Sequence, residues 1–203
     1  MIFKSKRFYY FPLSLFLLLL IIINSASAGD IEGKVKLSES KNSSDVLIYI
    51  EHVNGSFPPP PNPAVMDQKN FMFMPEVLPV LAGTTVNFLN SDSVLHNVFT
   101  PTQCAGSFNL GTYPKGEFRS HTFTDTGCIV TILCEVHPNM QAWIVTLQNP
   151  YFVKASRNGD YEIKNIPNGT YQLKIWCPFY KTKTIRVVIK DTGIVHENFT
   201  LIK

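Results

Sequence analysis

Three side chains able to bind a soft metal ion lie three residues apart in the stretch LCEVHPNMQAW, residues 133–143. They are the thiol of Cys134, the imidazole of His137 and the thioether of Met140. Pro138 and Asn139 disfavour helix between them, which places the set on a loop. Alone, the stretch is open to three readings: half of a disulfide, a fragment of a metal site, or chance. A structural zinc site needs four closed ligands, usually from two pairs, and the chain has no second pair at such spacing. Haem attachment needs C-x-x-C-H, which is absent. An iron–sulfur cluster needs more closely grouped cysteines.

A fourth residue changes the weighing. His96 follows the polar turn NSDSVL and opens an apolar run, far upstream of the other three. One distant histidine, with Cys, His and Met on a single loop, is the donor set of a blue-copper site. There two imidazoles and a thiolate form a trigonal plane and a thioether lies axially at longer distance. Thiolate and thioether favour Cu(I), whereas imidazole accepts Cu(II), so a geometry between the two preferences suits one-electron transfer. The expected metal ligands are therefore His96, Cys134, His137 and Met140, holding one type 1 copper per chain.

The elements that must position these residues read as strands. Short runs such as DVLIYIEHV, EVLPVLAGTTVNFLN, CIVTILC, GTYQLKIW and KTIRVVIK are rich in Val, Ile, Thr, Tyr and Phe and are separated by Gly, Pro, Asn and Asp. No long stretch carries a helical period. Many short strands at such spacing predict an all-β chain of sandwiches or barrels. Pro58 to Pro61, with Pro63, interrupt the rhythm and predict an extended connector, since proline cannot donate to a ladder. A second join falls at Asn149-Pro150. Around the metal residues the pattern predicts strand, a Gly83 turn, strand, polar turn and a strand entered at His96. Further on, one strand ends at Cys134 and another leaves through Trp143.

The pieces LAGTTVNFLNSD, LHNVF and TDTGCIVTILCEVHPNMQAWIVTL resemble the cupredoxins, most closely the amicyanin and pseudoazurin relatives. The Cys-x-x-His-x-x-Met spacing is that of amicyanins. The resemblance implies a Greek-key sandwich over residues 63–147, copper bound by the four ligands, and a hydrogen bond from Asn97 across to the ligand loop. Residues 66–88 with FNLGTYPKG also resemble proteins labelled methylamine-utilisation-like. The segment NGDYEIKNIPNGTYQLKIW, residues 158–176, resembles the carboxypeptidase-regulatory-like, or transthyretin-like, β-sandwich, and GDIEGKVKL with DVLIYIEHV fits that family's N-terminal half. The resemblances together imply one sandwich built from residues 29–62 and 148–203 with the cupredoxin unit between them. A C-terminal sandwich alone, with an N-terminal strand extending the cupredoxin, is the other arrangement.

The first 28 residues read as a secretory signal: Lys4, Lys6 and Arg7, then an apolar run, then Ala26-Ser27-Ala28. Without that segment the chain keeps 15 of its 18 Lys and Arg against 15 Asp and Glu, a net charge of zero. No basic run suggests nucleic acid. The expected location is outside the cell, or the periplasm in a Gram-negative source, with no membrane span after cleavage. Export permits disulfides. With Cys134 on metal, Cys104 and Cys128 are the expected pair, bracing the region below the metal loop, and Cys177 is left over. His52, His121 and His196 are scattered and read as ordinary surface or satisfied histidines. Two methionines in FMFMP, residues 71–75, read as core, as methionines in an apolar strand usually are, with a second soft-metal feature as the alternative.

The functional expectation is an exported carrier of single electrons between redox proteins, with a c-type cytochrome or a dehydrogenase as candidate donor or acceptor, and not an enzyme. A copper-holding or cell-surface binding module is the alternative. The sequence carries no signal for oligomeric state.

Overall fold

The computed structural model describes residues 27–40 and 42–203; the signal segment expected at residues 1–28 lies almost wholly outside them. Among the described residues the chain is all-β, apart from one short 3₁₀ turn at Gln103–Ala105. Its strands form two pairs of sheets.

The first pair joins the two ends of the chain. One sheet orders β13 (Asp160–Pro167), β1 (Ala28–Leu37) and β16 (Ile194–Leu201); the other orders β12 (Phe152–Lys154), β2 (Leu47–Ile50), β14 (Gly169–Trp176) and β15 (Lys183–Ile189). Ile31, Val35, Ile48, Ile163, Leu173, Val187 and Phe199 fill the space between them. Strand β1 runs antiparallel to β13 but parallel to β16, so the N-terminal strand is the centre of its sheet. Gly33 lies where β1 presses against β16: a Cβ there would stand 1.7 Å from the Glu197 carbonyl oxygen.

The second pair is built from the middle of the chain. Strands β5 (Val77–Leu81), β11 (Gln141–Leu147), β10 (Ile129–Leu133), β7 (His96–Thr100) and β8 (Phe108–Tyr113) make one sheet. Strands β4 (Met72–Met74), β3 (Ala64–Lys69), β6 (Thr84–Asn90) and β9 (Phe118–Phe123) make the other. Met66, Val86, Phe88, Val98, Phe123, Val130 and Ile144 pack between them. Strand β6 alternates buried and partly exposed along its length, the period-2 signature of a strand with one core face. The Gly83 turn forms as expected, at φ 89°, between β5 and β6.

Two strands are buried on both faces, and they join the halves. Along β2, Ile48 and Ile50 face the first core while Leu47 and Tyr49 face away from it; along β11, Ala142 and Ile144 face the second core while Trp143, Val145 and Leu147 face away. These outer faces meet in a third apolar cluster completed by Val77 and Trp176, with the Trp143 and Trp176 rings 6.4 Å apart. That double burial explains the unbroken apolar runs LIYI and AWIV, which no alternation marks. The chain crosses between the halves twice, and the crossings are tied together. The Gln148 side chain accepts from the Val53 N–H at 3.1 Å and donates to the Val53 carbonyl at 3.0 Å, and Asn149 Nδ2 donates to the Ile50 carbonyl at 2.9 Å.

Candidate metal centre

Strand register brings the distant histidine to the loop. Leu133 of β10 pairs with Phe99 of β7, which sets the start of β7 beside the end of β10. His96 therefore meets Cys134, the residue after β10. The Asn97 N–H donates to Cys134 Sγ at 3.4 Å. Beyond Cys134 the loop turns back on itself: the Met140 N–H donates to the His137 carbonyl at 2.9 Å across Pro138 and Asn139. Proline's fixed φ suits the second position of such a turn. The turn leaves His137 half-buried and returns Met140 to the core at 1% exposure, in the same apolar cluster as Cys134.

The donor atoms converge. His96 Nδ1 and His137 Nδ1 lie 3.0 Å apart, and Cys134 Sγ is 4.0 Å from each. A point about 2.2 Å from all three atoms follows from those sides. Nitrogen and thiolate donors bind a late first-row ion such as zinc at roughly 2.0–2.3 Å, so the triangle has the size a metal needs. Among the described residues these three form the one cluster of His, Cys, Asp and Glu side chains able to hold an ion. His96 is wholly buried and Cys134 nearly so; His137 is the member nearest the surface. His52, His121 and His196 lie elsewhere: His121 stacks on Phe108 at 3.9 Å, and His196 pairs with Glu32 at 3.1 Å on the surface.

Surrounding groups orient the triangle. His96 presents Nε2 to the Asp92 carboxylate at 2.9 Å, which leaves Nδ1 free to face His137 and Cys134. Burial by itself would raise the Asp92 carboxyl; the Phe71 N–H, His96 and the Asn70 N–H outweigh it and hold it below the usual carboxylate range. The Asn70 and Phe71 N–H groups reach Asp92 at 2.7 and 2.9 Å respectively. Asn70 and Phe71 form the tip of the β3–β4 hairpin, both at positive φ. Two such residues match a type I′ turn, a conformation asparagine tolerates and phenylalanine adopts at a cost. The tip sets the Phe71 ring edge-on to His137 at 5.0 Å and to His96 at 5.9 Å.

The Asn97 side chain does reach the ligand loop: its Oδ1 accepts from the Glu135 N–H at 3.2 Å, and its Nδ2 donates to Asn109 Oδ1 at 2.8 Å. Asn109 in turn donates to Glu135 at 3.1 Å. The disulfide between Cys104 and Cys128 is formed. It ties the 3₁₀ turn after β7 to the residue before β10. Cys177 is buried in the first core.

No protein-family model and no curated protein matches the chain. Among solved structures, a methionine-to-alanine variant of amicyanin in its Cu(I) form is 26% identical, covering 41% of this chain and 81% of that one at a TM-score of 0.39. An oxidised proline-to-glycine variant of amicyanin is 25% identical, covering 42% and 83% at a TM-score of 0.40. The copper-containing nitrite reductase of Thermus scotoductus SA-01 is also 25% identical, covering 49% of this chain and 25% of that one at a TM-score of 0.41.

Sequence reasoning missed Asp92, Phe71 and Asn109. For Asp92 a signal exists in the polar turn NSDS, four residues ahead of His96. For Phe71 none does, because its role depends on how the hairpin folds over the loop.

Proposed function

We propose that the chain is an exported type 1 copper protein that carries single electrons between redox proteins. The observation that carries the reading is the convergence of His96 Nδ1, His137 Nδ1 and Cys134 Sγ, all within 4.8 Å of one another, beside the buried Met140. Two imidazoles, a thiolate and a thioether match copper rather than zinc. When bound, copper supplies a one-electron couple between Cu(I) and Cu(II).

The protein's part is to hold the donors. Asp92 fixes the His96 ring, the Asn97 backbone steadies Cys134 Sγ, and the 137–140 turn sets Met140. Four ligands leave no open position for a substrate, which favours a carrier over an enzyme. His137 is the least buried of the triangle and stands beside the exposed side chains of Phe71 and Val136, which supports it as the route by which electrons leave. We assign residues 63–147 to the copper unit and residues 29–62 with 148–203 to the sandwich that carries it. Separate apolar cores of those two sets support the division.

The test is spectroscopic. Copper-loaded protein should be intensely blue or green, with narrow copper hyperfine splitting in electron paramagnetic resonance and reversible one-electron voltammetry. Cys134→Ser should abolish the colour and Cys177→Ser should leave it. A colourless tetragonal Cu(II) spectrum would overturn the assignment, and copper that binds but does not cycle would mark a copper-holding module.

A further inference from the structure

Strand β4 is three residues long and lies at the edge of its sheet. Alternation along it sends Phe73 into the core at 2% exposure and turns Met72 and Met74 the other way, at 51% and 46%. The core reading of the two methionines in FMFMP thus fails. Such exposure has a cost, because thioether side chains are apolar and gain from burial. The two share a groove of about 600 Å³ with Met140, and Trp143 lines it too. Three of the four methionines among the described residues therefore line one groove, and only Met66 is confined to the core.

Thioethers are neutral, soft donors. They bind Cu(I) and other soft monovalent ions and discriminate against hard cations, which prefer oxygen. The groove also adjoins the metal triangle. Phe71, which contacts both imidazoles edge-on, directly precedes Met72 and lines the groove as well.

We propose that Met72 and Met74 form a second, surface site for a soft monovalent ion. From there Cu(I) passes by way of Met140 to the His96–Cys134–His137 triangle. The transfer is ligand exchange: thioether–copper bonds break as imidazole–copper and thiolate–copper bonds form, the Cys134 thiol proton goes to solvent, and the copper stays Cu(I). The destination rests on the copper reading above; the surface site does not.

Silver(I), a soft ion that does not change oxidation state here, separates the two. In a Cys134→Ser chain labelled at its methionine methyl groups, titration with silver nitrate should move the Met72 and Met74 resonances together, saturating at one equivalent, while Met66 stays fixed. Adding Met72→Leu and Met74→Leu should remove that saturable uptake; both positions are exposed, so the fold should tolerate leucine. Unmoved resonances, or equal uptake by the leucine variant, overturn the site. With Cys134 intact, anaerobic loading with Cu(I) followed by oxidation should give the leucine variant the same final colour more slowly. An unchanged loading rate overturns the delivery role. A chain that takes up silver at the methionines but never colours would retain the surface site and refute the blue-copper reading instead.

Discussion

His96 Nε2 lies 2.9 Å from the Asp92 carboxylate, and the same carboxylate accepts the N–H groups of Asn70 and Phe71. One side chain thus selects the ring nitrogen that faces the triangle and anchors the hairpin whose Phe71 ring covers both imidazoles. Outer partners of this kind typically contribute about 10–100-fold in metal affinity. Asp92→Ala should weaken copper binding within that range in a chelator-competition titration, with Asp92→Asn, which keeps one acceptor oxygen, falling between. Equal affinities for the three proteins would show that the contact is incidental.

Asn97→Ala removes the acceptor for the Glu135 N–H and the donor to Asn109. Each hydrogen bond contributes about 0.5–1.5 kcal/mol net, and the substitution removes both, to the exposed residues Glu135 and Asn109. Denaturant unfolding of the metal-free protein should show a loss of that order. The contact touches the ligand loop itself, so the copper-loaded spectrum should shift as well. An altered stability with an unaltered spectrum would confine Asn97 to a structural part.

The Cys104–Cys128 bond closes a loop with a sequence separation of 24. By the loop-entropy relation such a crosslink contributes roughly 3 kcal/mol. Replacing both cysteines by alanine should lower the unfolding free energy by about that much. Copper binding should survive, since neither residue belongs to the triangle. Loss of the colour in a still-folded double variant would mean that the bond sets the ligand geometry.

Burial pushes the Cys177 thiol up to about 12, with the Asp45 and Glu76 carboxylates adding to the rise. A raised value means that the fold retains the proton which the unfolded chain releases first. The resulting stabilisation is whole below the ordinary thiol value and is lost as pH rises from there towards 12. Cys177→Ala should therefore flatten the alkaline limb of the stability curve. In the native wild type at neutral pH, alkylation without reduction should leave Cys177 unmodified until the protein unfolds. Rapid native-state labelling of Cys177 would contradict its burial.

The loop that carries Cys134, His137 and Met140 was legible because its spacing is local. Cys134, His137 and Met140 are separated by a turn that proline and asparagine encode, and the turn forms with a single backbone hydrogen bond. The all-β class was legible for a similar reason, since period-2 runs such as TTVNFLN specify a strand and its inward face together. What the sequence by itself determined was thus the kinds of element and the donor types on one loop. Tertiary structure decided what meets across long separations: His96 with His137, 41 residues apart, and Asp92 with the hairpin tip. It also decided the outward face of MFM, residues 72–74, because a three-residue apolar run carries no mark of which side will be covered. The same holds for LIYI and AWIV, where apolar residues on every position are consistent with a strand covered on both sides, yet only packing brings Trp143 against Trp176. Spacing along a chain records local geometry; register between strands, and the burial that follows from it, exists only once the sheets have formed.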